Sequence, residues 1–298
     1  MQDVLAAFRK YIGAIRSAAT QVKYAYAVER FFVWLEKNGY TLEAAPENTV
    51  QNHILDLKER GFMPATLHVE VQALNRFFQW CQKEGVVVAK FHSAELPRIP
   101  VRVKDILSPE LFQTYFKLAD GLEEPVRTAT ILLPCSGLRA QEMVSLPLTG
   151  LRRTPLDLQN GEKKQTLTII VRGKGDKERL VPLLDEGAQA LVGYLQGWRS
   201  DHHDTKWLFP GRRRGKHLAD RTLRRALQSI REPLGMEFTP HTMRRTYLTT
   251  LYRQGVDPLI LAKIAGHKSP QTLLNHYLYL DEKDLARAVH GSGGRLMT

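Results

Sequence analysis

One stretch of this chain breaks an otherwise helical pattern and thereby limits the folds open to it. β-Branched residues dominate positions 166–172, which predicts a strand. Turn-forming residues follow at 173–177, and residues 178–183 predict a returning strand, so that Lys174 lies on the turn of a β-hairpin. We therefore expect a mainly α protein, in which a helical bundle is joined to a mixed α+β domain with a small antiparallel sheet.

The helical bundle is predicted from apolar residues that recur with helical spacing in the first ninety positions. The segments are 4–15, 24–35, 50–57 and 67–81. The bundle is also rich in aromatic residues that suit a packed core better than a platform for stacking bases. These are Phe31, Phe32, Trp34, Phe77, Phe78 and Trp80.

A proline-bearing basic segment separates the bundle from the rest of the chain. Residues 91–104 show no clear period and contain Pro97, Pro100 and several basic side chains, which is typical of a linker. We predict a helical domain over 1–90, this linker, and a second domain over 105–298. The linker either crosses a phosphate backbone or is a solvated surface strand, and the residues do not decide between the two.

The charge of the chain favours a polyanionic partner. Lys and Arg number 43 against 31 Asp and Glu among 298 residues, a net charge of +12. A membrane surface is the competing explanation, but no apolar run approaches the ~20 residues needed to span a bilayer, and the start MQDVLAAFRK lacks a signal-peptide pattern. We expect a soluble cytoplasmic protein that binds nucleic acid.

Cysteine and histidine usage gives no indication of a metal site. Cys81 and Cys135 each lie in apolar helix-like sequence, which predicts buried reduced thiols. The adjacent His202 and His203, followed by Asp204, lie in a polar loop and are interpreted as surface residues. We expect neither a metal nor a cofactor.

Candidate phosphate-binding residues are concentrated in a helix near position 240. Thr239 suits the N-cap and Pro240 the first helical position, so His241 and Arg244 project from one face near the helix start. Two further helices are predicted to begin in the same way, at Asp257-Pro258 and Ser269-Pro270. Gly266 is predicted to end the first of these, which leaves His267 and Tyr277 at successive helix edges.

A second arginine is predicted to start another helix. The segment Ser136-Gly-Leu-Arg139-Ala-Gln-Glu142 turns at Gly137 and places Arg139 one helical turn before Glu142. This pair is either a surface ion pair or an arginine that a carboxylate orients to hold a phosphate.

Five segments together resemble the tyrosine recombinase (phage integrase) family, of the simple Xer-like two-domain kind. Besides the Arg139 segment they are Gly173-Lys174-Gly-Asp-Lys-Glu-Arg-Leu-Val-Pro182, His241-Thr-Met-Arg244-Arg, Gly266-His267-Lys-Ser and Tyr277. They occur in the family's order from about 105 to 280. The resemblance implies that the bundle is a SAM-like core-binding domain and that residues 105–298 form the catalytic domain.

The resemblance also implies a role for each residue. Arg139 and Arg244 hold the scissile phosphate, His241 and His267 complete the pocket, Glu142 is an acidic support, and Lys174 protonates the leaving 5′ oxygen. Tyr277 is the nucleophile, and it forms a 3′-phosphotyrosyl bond. The chemistry needs fixed guanidinium groups because negative charge gathers on the phosphoryl oxygens, and it needs a cationic pocket because tyrosine, with a pKa near ~10, is a poor nucleophile. Exchange through a Holliday junction in a homotetramer on two double-stranded DNA sites is implied as well, with residues 281–289 as a helix that docks on a neighbouring subunit.

Alternatives remain open at several positions. Tyr279 lies two residues beyond Tyr277, and Lys177 or Arg172 is an alternative to Lys174. Residues 212–216 are a basic run that is either a solvated loop or a DNA contact, outside the active site. For the whole chain, the alternatives to a recombinase are a DNA-relaxing enzyme like a type IB topoisomerase and a non-catalytic DNA-binding protein on the same scaffold.

Overall fold

The computed structural model describes residues 1–96, 106–157, 163–172, 178–202, 205–267 and 269–276. The chain divides into two compact units, Met1–Arg102 and Val103–Thr298. No helix among the described residues is long and apolar enough to cross a membrane.

Over its described residues, 1–96, the first unit contains four helices, and each covers one of the predicted helical segments. They are α1 (Gln2–Ile15), α2 (Ala18–Lys37), α3 (Thr49–Glu59) and α4 (Pro64–Glu84). Ser17 caps α2 by accepting a hydrogen bond from the backbone of Thr20, and Gly85 ends α4 in the left-handed conformation at φ 70°. The predicted helical bundle is confirmed.

Aromatic side chains form the centre of the first unit. Phe8, Phe31 and Phe77 are fully buried, and the rings of Phe8 and Phe77 meet edge to face at 5.2 Å between centroids. Phe32 and Trp80 are also buried, whereas Trp34 and Phe78 are partly buried. The prediction that this aromatic group packs in the core is confirmed.

The first unit extends beyond the boundary at residue 90 that the sequence predicts. The backbone N–H groups of Ala89 and His92 donate to the carbonyl oxygens of Leu42 and Glu47, at 2.8 and 2.9 Å. Farther along, Ala94 is buried against the same core. Residues 91–96, which the sequence assigns to the linker, thus contact the bundle, partly through a backbone hydrogen bond that no sequence period reveals. Residues 97–104 lie outside the described residues.

In the part of the second unit that the structure describes, there are eight α-helices and one sheet. The helices are α5 (Pro109–Asp120), α6 (Val126–Ser136), α7 (Ala140–Val144), α8 (Asp185–Gln196), α9 (Asp220–Leu234), α10 (Pro240–Arg253), α11 (Pro258–Ala265) and α12 (Pro270–His276). Short 3-10 turns cover Leu148–Gly150 and Trp198–Asp201.

Among the described residues, the sheet of the second unit has three antiparallel strands in the order β1-β2-β3. They are β1 (Leu151–Asp157), β2 (Lys163–Arg172) and β3 (Glu178–Pro182). In the register, Ile169 lies opposite Leu151 on one side and Val181 on the other. The antiparallel pairing of β2 and β3 confirms the two predicted strands, while the predicted turn at 173–177 lies outside the described residues. The sequence pattern does not predict β1, which contains Pro155; β1 lies at one end of the strand order, where a proline is tolerated.

Both cysteines are buried free thiols, as predicted. Burial raises the pKa of each to about 12, so neither is a nucleophile at neutral pH. Cys135 also marks a close approach of α6 to α8, because a Cβ added at Gly187 would lie 2.4 Å from the Cys135 Cβ.

Candidate active site

Arg139 and Glu142 form the first half of the site. Arg139 is the N-cap of α7, and the Glu142 carboxylate accepts hydrogen bonds from the Arg139 backbone N–H at 2.9 Å and from its Nη1 at 2.8 Å. One carboxylate thus fixes the arginine at both ends. The predicted contact between the two is confirmed.

The turn that precedes Arg139 requires a glycine. Gly137 ends α6 at φ 60°, and a Cβ placed there would lie 2.4 Å from Cδ1 of Tyr247. The turn therefore packs closely against α10.

Arg244 joins three segments from the start of α10. Thr239 caps this helix and Pro240 is its first residue, as predicted. The Arg244 side chain is buried at 1% exposure, and its Nη1 donates to the carbonyl oxygen of Gly137 at 2.6 Å. Its Nη2 donates to the carbonyl oxygen of Ala265, at the end of α11. The guanidinium plane is therefore fixed before any ligand binds.

His267 lies beside this guanidinium. Gly266 ends α11 at φ 67°, as predicted, and the His267 backbone N–H donates to the carbonyl oxygen of Ala262 at 2.9 Å. This turn brings the His267 Nε2 to 3.5 Å from the Arg244 Nη2.

Arg179 is a site residue that we did not predict. It lies on β3, 9% of its side chain is exposed, and its Nη2 donates to the Glu142 carboxylate at 2.7 Å. Its Nε donates to the carbonyl oxygen of Ile264 at 2.9 Å. In the sequence, Arg179 lies in a run of charged residues that is typical of an exposed hairpin. Strand alternation could have indicated its burial, because Arg179 lies on the same face of β3 as the buried Val181.

The two arginines keep Glu142 ionised. Burial by itself raises the pKa of this carboxyl, but the hydrogen bond from Arg179, the Arg139 backbone N–H and the charges of both arginines together lower it to about 2. At neutral pH the carboxylate therefore carries a full charge between two guanidinium groups.

His241 occupies a strongly cationic environment. Its pKa is lowered first by burial and then by the charges of Arg244, Arg139, Arg224 and Arg245. The neutral imidazole is thus favoured, and a neutral imidazole can accept or donate a hydrogen bond.

Helix α9 extends the cationic surface next to His241. Arg221, Arg224, Arg225 and Arg231 line a depression of about 340 Å³ that Pro240 closes at the start of α10. The sequence alone assigns no role to these arginines.

Two predicted site residues, Lys174 and Tyr277, lie outside the described residues, as do the alternatives Lys177 and Tyr279 and residues 281–289. The structure brings together Arg139, Glu142, His241, Arg244 and His267. Arg172 is 74% exposed and pairs with Glu178 at 3.0 Å.

Two further segments were predicted to lie outside the site. The side chains of the basic run at 212–214 and of Lys216 are exposed. The ring of His202 stacks on Trp198 at 3.7 Å, while His203 and Asp204 are not described. Within the described ranges, no three His, Cys, Asp or Glu side chains form a group that could hold a metal.

The chain is similar to known proteins over most of its length. The model of the phage integrase family matches residues 111–284. Among curated proteins, the chain is 29% identical to tyrosine recombinase XerD of Caulobacter vibrioides, over 95% of this chain and 93% of that protein. It is 27% identical to tyrosine recombinase XerA of Thermococcus kodakarensis, over 91% and 88%.

Solved structures share the fold. XerH site-specific recombinase bound to a palindromic difH substrate, in a post-cleavage complex, aligns with a TM-score of 0.71 at 21% identity, over 90% of this chain and 78% of that one. A lambda integrase dimer bound to a COC′ core site aligns with a TM-score of 0.70 at 15% identity, over 95% and 98%.

Proposed function

The chain belongs to the phage integrase family, and from that membership we propose that it is a site-specific DNA recombinase that cleaves and rejoins DNA through a 3′-phosphotyrosyl intermediate. The similarity to XerD and XerA recombinases over more than nine-tenths of this chain supports this function. The same similarity does not favour a relaxing enzyme or a non-catalytic DNA-binding protein.

One observation carries the proposal, namely the fixed pair of guanidinium groups. Arg244 donates a hydrogen bond to the carbonyl oxygen of Gly137. Arg139 lies two residues later in the chain, and its guanidinium donates to the Glu142 carboxylate. Two arginines held in this way suit the non-bridging oxygens of one phosphate, because planar guanidinium groups bind such oxygens bidentately. Their orientation is set in advance, so the charge that develops during phosphoryl transfer meets donors already in place.

The remaining roles follow from the family. Tyr277 loses its phenolic proton to solvent and attacks phosphorus as the phenolate, the P–O bond to the 5′ oxygen breaks, and Lys174 gives that oxygen a proton, which solvent then replaces on the lysine. His241 and His267 complete the pocket, and the lowered pKa of His241 leaves its imidazole neutral for hydrogen bonding. A free 5′ hydroxyl from another strand reverses the step, so the phosphodiester energy is retained without ATP.

The partner is double-stranded DNA, and the arginine face of α9 supplies positive charge beside the site for it. We extend the proposal to a homotetramer on two DNA sites, to a Holliday-junction intermediate, to docking of residues 281–289 on a neighbouring subunit and to a cytoplasmic location. The two units separated near residue 102 would serve as the core-binding and catalytic domains.

The test is covalent trapping. Fragmented genomic DNA from the source organism is incubated with the protein in EDTA, covalent complexes are isolated in detergent, and the attached DNA is sequenced. We expect recovery of one discrete site, and a pair of such sites should then yield exchanged flanks. No covalent complex, or one that forms only with added magnesium, would overturn the proposal, while relaxation of a supercoiled plasmid that lacks the site would favour the topoisomerase alternative.

A further inference from the structure

The role of Arg179 is not explained by the residues that the sequence assigns to the site, five of which the structure describes. Its guanidinium lies between two segments that are distant in the chain, with the Glu142 carboxylate at 2.7 Å on one side and the carbonyl oxygen of Ile264 at 2.9 Å on the other. With 9% of the side chain exposed, it is one of the most buried charged groups beside the site.

The contact to α11 holds Arg179 in a defined place. Helix C-termini leave carbonyl oxygens without partners in the helix, and cations are stabilised there. Here the last turn of α11 offers the carbonyl of Ile264 to Arg179 and that of Ala265 to Arg244. Two arginines from different elements are therefore anchored to consecutive carbonyl groups.

The packing around Arg179 is close as well. A Cβ added to Gly266 would lie 3.0 Å from the Arg179 Cδ and 3.2 Å from its Nε. The arginine therefore fills the space that a side chain at position 266 would need.

The contact to Glu142 gives this anchoring a chemical consequence. The Glu142 oxygen that accepts from Arg179 also accepts from the Arg139 backbone N–H, and the other oxygen holds the Arg139 Nη1. With Arg179 removed, Arg139 would be the one partner left to the carboxylate among the described residues, and the two could rotate together.

We propose that Arg179 is a positioning residue for DNA cleavage, which acts through Glu142 to fix the phosphate-binding guanidinium of Arg139. This inference rests on the proposed function. Misplacing a group that holds the reacting phosphate by a fraction of an ångström slows the reaction without removing the group, so losses of about tenfold to a hundredfold are expected.

The alternative is that Arg179 is only a structural ion pair, and Arg127 provides the matched control. Arg127 is also partly buried and bound to two carboxylates of its own unit, Asp120 at 2.6 Å and Glu124 at 3.1 Å. If breaking any partly buried ion pair were enough to slow cleavage, replacing Arg127 by methionine should slow it as much as replacing Arg179.

The experiment measures single-turnover covalent complex formation on a nicked duplex that carries the site recovered by trapping. The variants are R179M, R179K, R127M, E142Q and the double variant E142Q/R179M, and each is also measured for its DNA dissociation constant and thermal midpoint. For R179M we expect cleavage about tenfold to a hundredfold slower with a dissociation constant within about threefold of wild type. R179K should cleave at a rate between those of R179M and wild type, because an ammonium group restores the charge but not the planar pair of guanidinium donors. R127M should cleave like wild type.

The double variant E142Q/R179M tests whether Arg179 acts through Glu142. If Arg179 acts through Glu142, R179M should slow the E142Q protein by less than about threefold, because the connection is already broken. Wild-type rates in R179M or, should that variant not fold, in R179K would overturn the inference, and so would a full additional loss in the E142Q background. Failure of wild-type protein to form any covalent complex would instead overturn the proposed function.

Discussion

The Nη1 of Arg244 donates a hydrogen bond to the carbonyl oxygen of Gly137 at 2.6 Å, across 107 residues of chain. This bond joins the start of α10 to the turn that carries Arg139. The same guanidinium reaches Ala265 at the end of α11, so a single buried side chain organises the three segments on which the site is built.

Replacing Arg244 by lysine should impair both stability and cleavage. An ammonium group cannot hold both carbonyl oxygens in the geometry of the fork, and a buried acceptor would lose its partner, at a cost of about 1–3 kcal/mol in the free energy of unfolding. Cleavage should fall by at least about a hundredfold. Urea unfolding and the trapping assay measure the two effects. Arg253→Lys, an exposed position at the end of the same helix, is the control, and normal cleavage by Arg244→Lys would contradict the proposed role.

Gly266→Ala and Gly255→Ala form a matched pair. Both glycines have positive φ, 67° and 89°, so each substitution should cost about 1 kcal/mol in backbone conformation. The Cβ at 266 meets Arg179, whereas the Cβ at 255 has no neighbour within 4 Å among the described residues. We therefore expect both variants to lose stability in urea unfolding but only Gly266→Ala to cleave more slowly. Equal cleavage rates would show that the contact with Arg179 is unimportant.

Glu142→Gln should change how stability depends on pH. The pKa of Glu142 is lowered from 4.5 to about 2 in the folded protein, so the unfolded chain takes up the proton first as the pH falls. The stability from this carboxylate is therefore present above pH 4.5 and is lost toward pH 2, and it is on the order of 3 kcal/mol. Urea unfolding at pH 7 and at pH 3.5 should show a smaller difference for the glutamine variant than for wild type. If the free energy of unfolding changed equally between the two pH values in both proteins, the Glu142 carboxylate would not contribute the stability described.

His241 should titrate below its usual range. Burial and the surrounding arginines lower its pKa from 6.5, so the imidazole should remain neutral as the pH falls through that value. Because the unfolded chain binds the proton at higher pH, protonation of this group lowers stability as the pH falls below 6.5. An NMR titration of the imidazole carbons, assigned by comparison with His241→Gln, measures the midpoint. A midpoint above 6.5 would show that a nearby anion dominates instead.

Tyr277→Phe should abolish the covalent complex, while Tyr279→Phe should retain it. The phenolic oxygen of Tyr277 is the proposed nucleophile, and its loss leaves no group to form the phosphotyrosyl bond. Gel analysis after detergent treatment, with mapping of the DNA-linked peptide, distinguishes the two tyrosines. Retention of the complex in Tyr277→Phe with loss in Tyr279→Phe would transfer the role to Tyr279.

Local signals predicted most of the fold correctly. Thr239-Pro240, Asp257-Pro258 and Gly266 mark helix ends through their own backbone preferences, so their positions are readable without knowledge of the rest of the molecule. The hairpin was readable for the same reason, because β-branched residues flank a turn-forming segment.

The missed features depend on contacts between distant segments. Strand β1 has a proline and several polar residues, and only pairing with β2 makes it a strand. Arg179 looks like any other charged residue of a hairpin until β3 lies beside α7 and α11. The family resemblance supplied Arg139 and Arg244 directly, but it did not show that main-chain oxygens hold Arg244 in place.

Those acceptors are peptide oxygens, which every amino acid possesses. A replacement at position 264 or 265 that keeps α11 intact would leave both arginines their anchors, since neither Arg179 nor Arg244 relies on the identity of the side chain there. The end of α11 can therefore change in sequence while the positions of the two guanidinium groups stay the same.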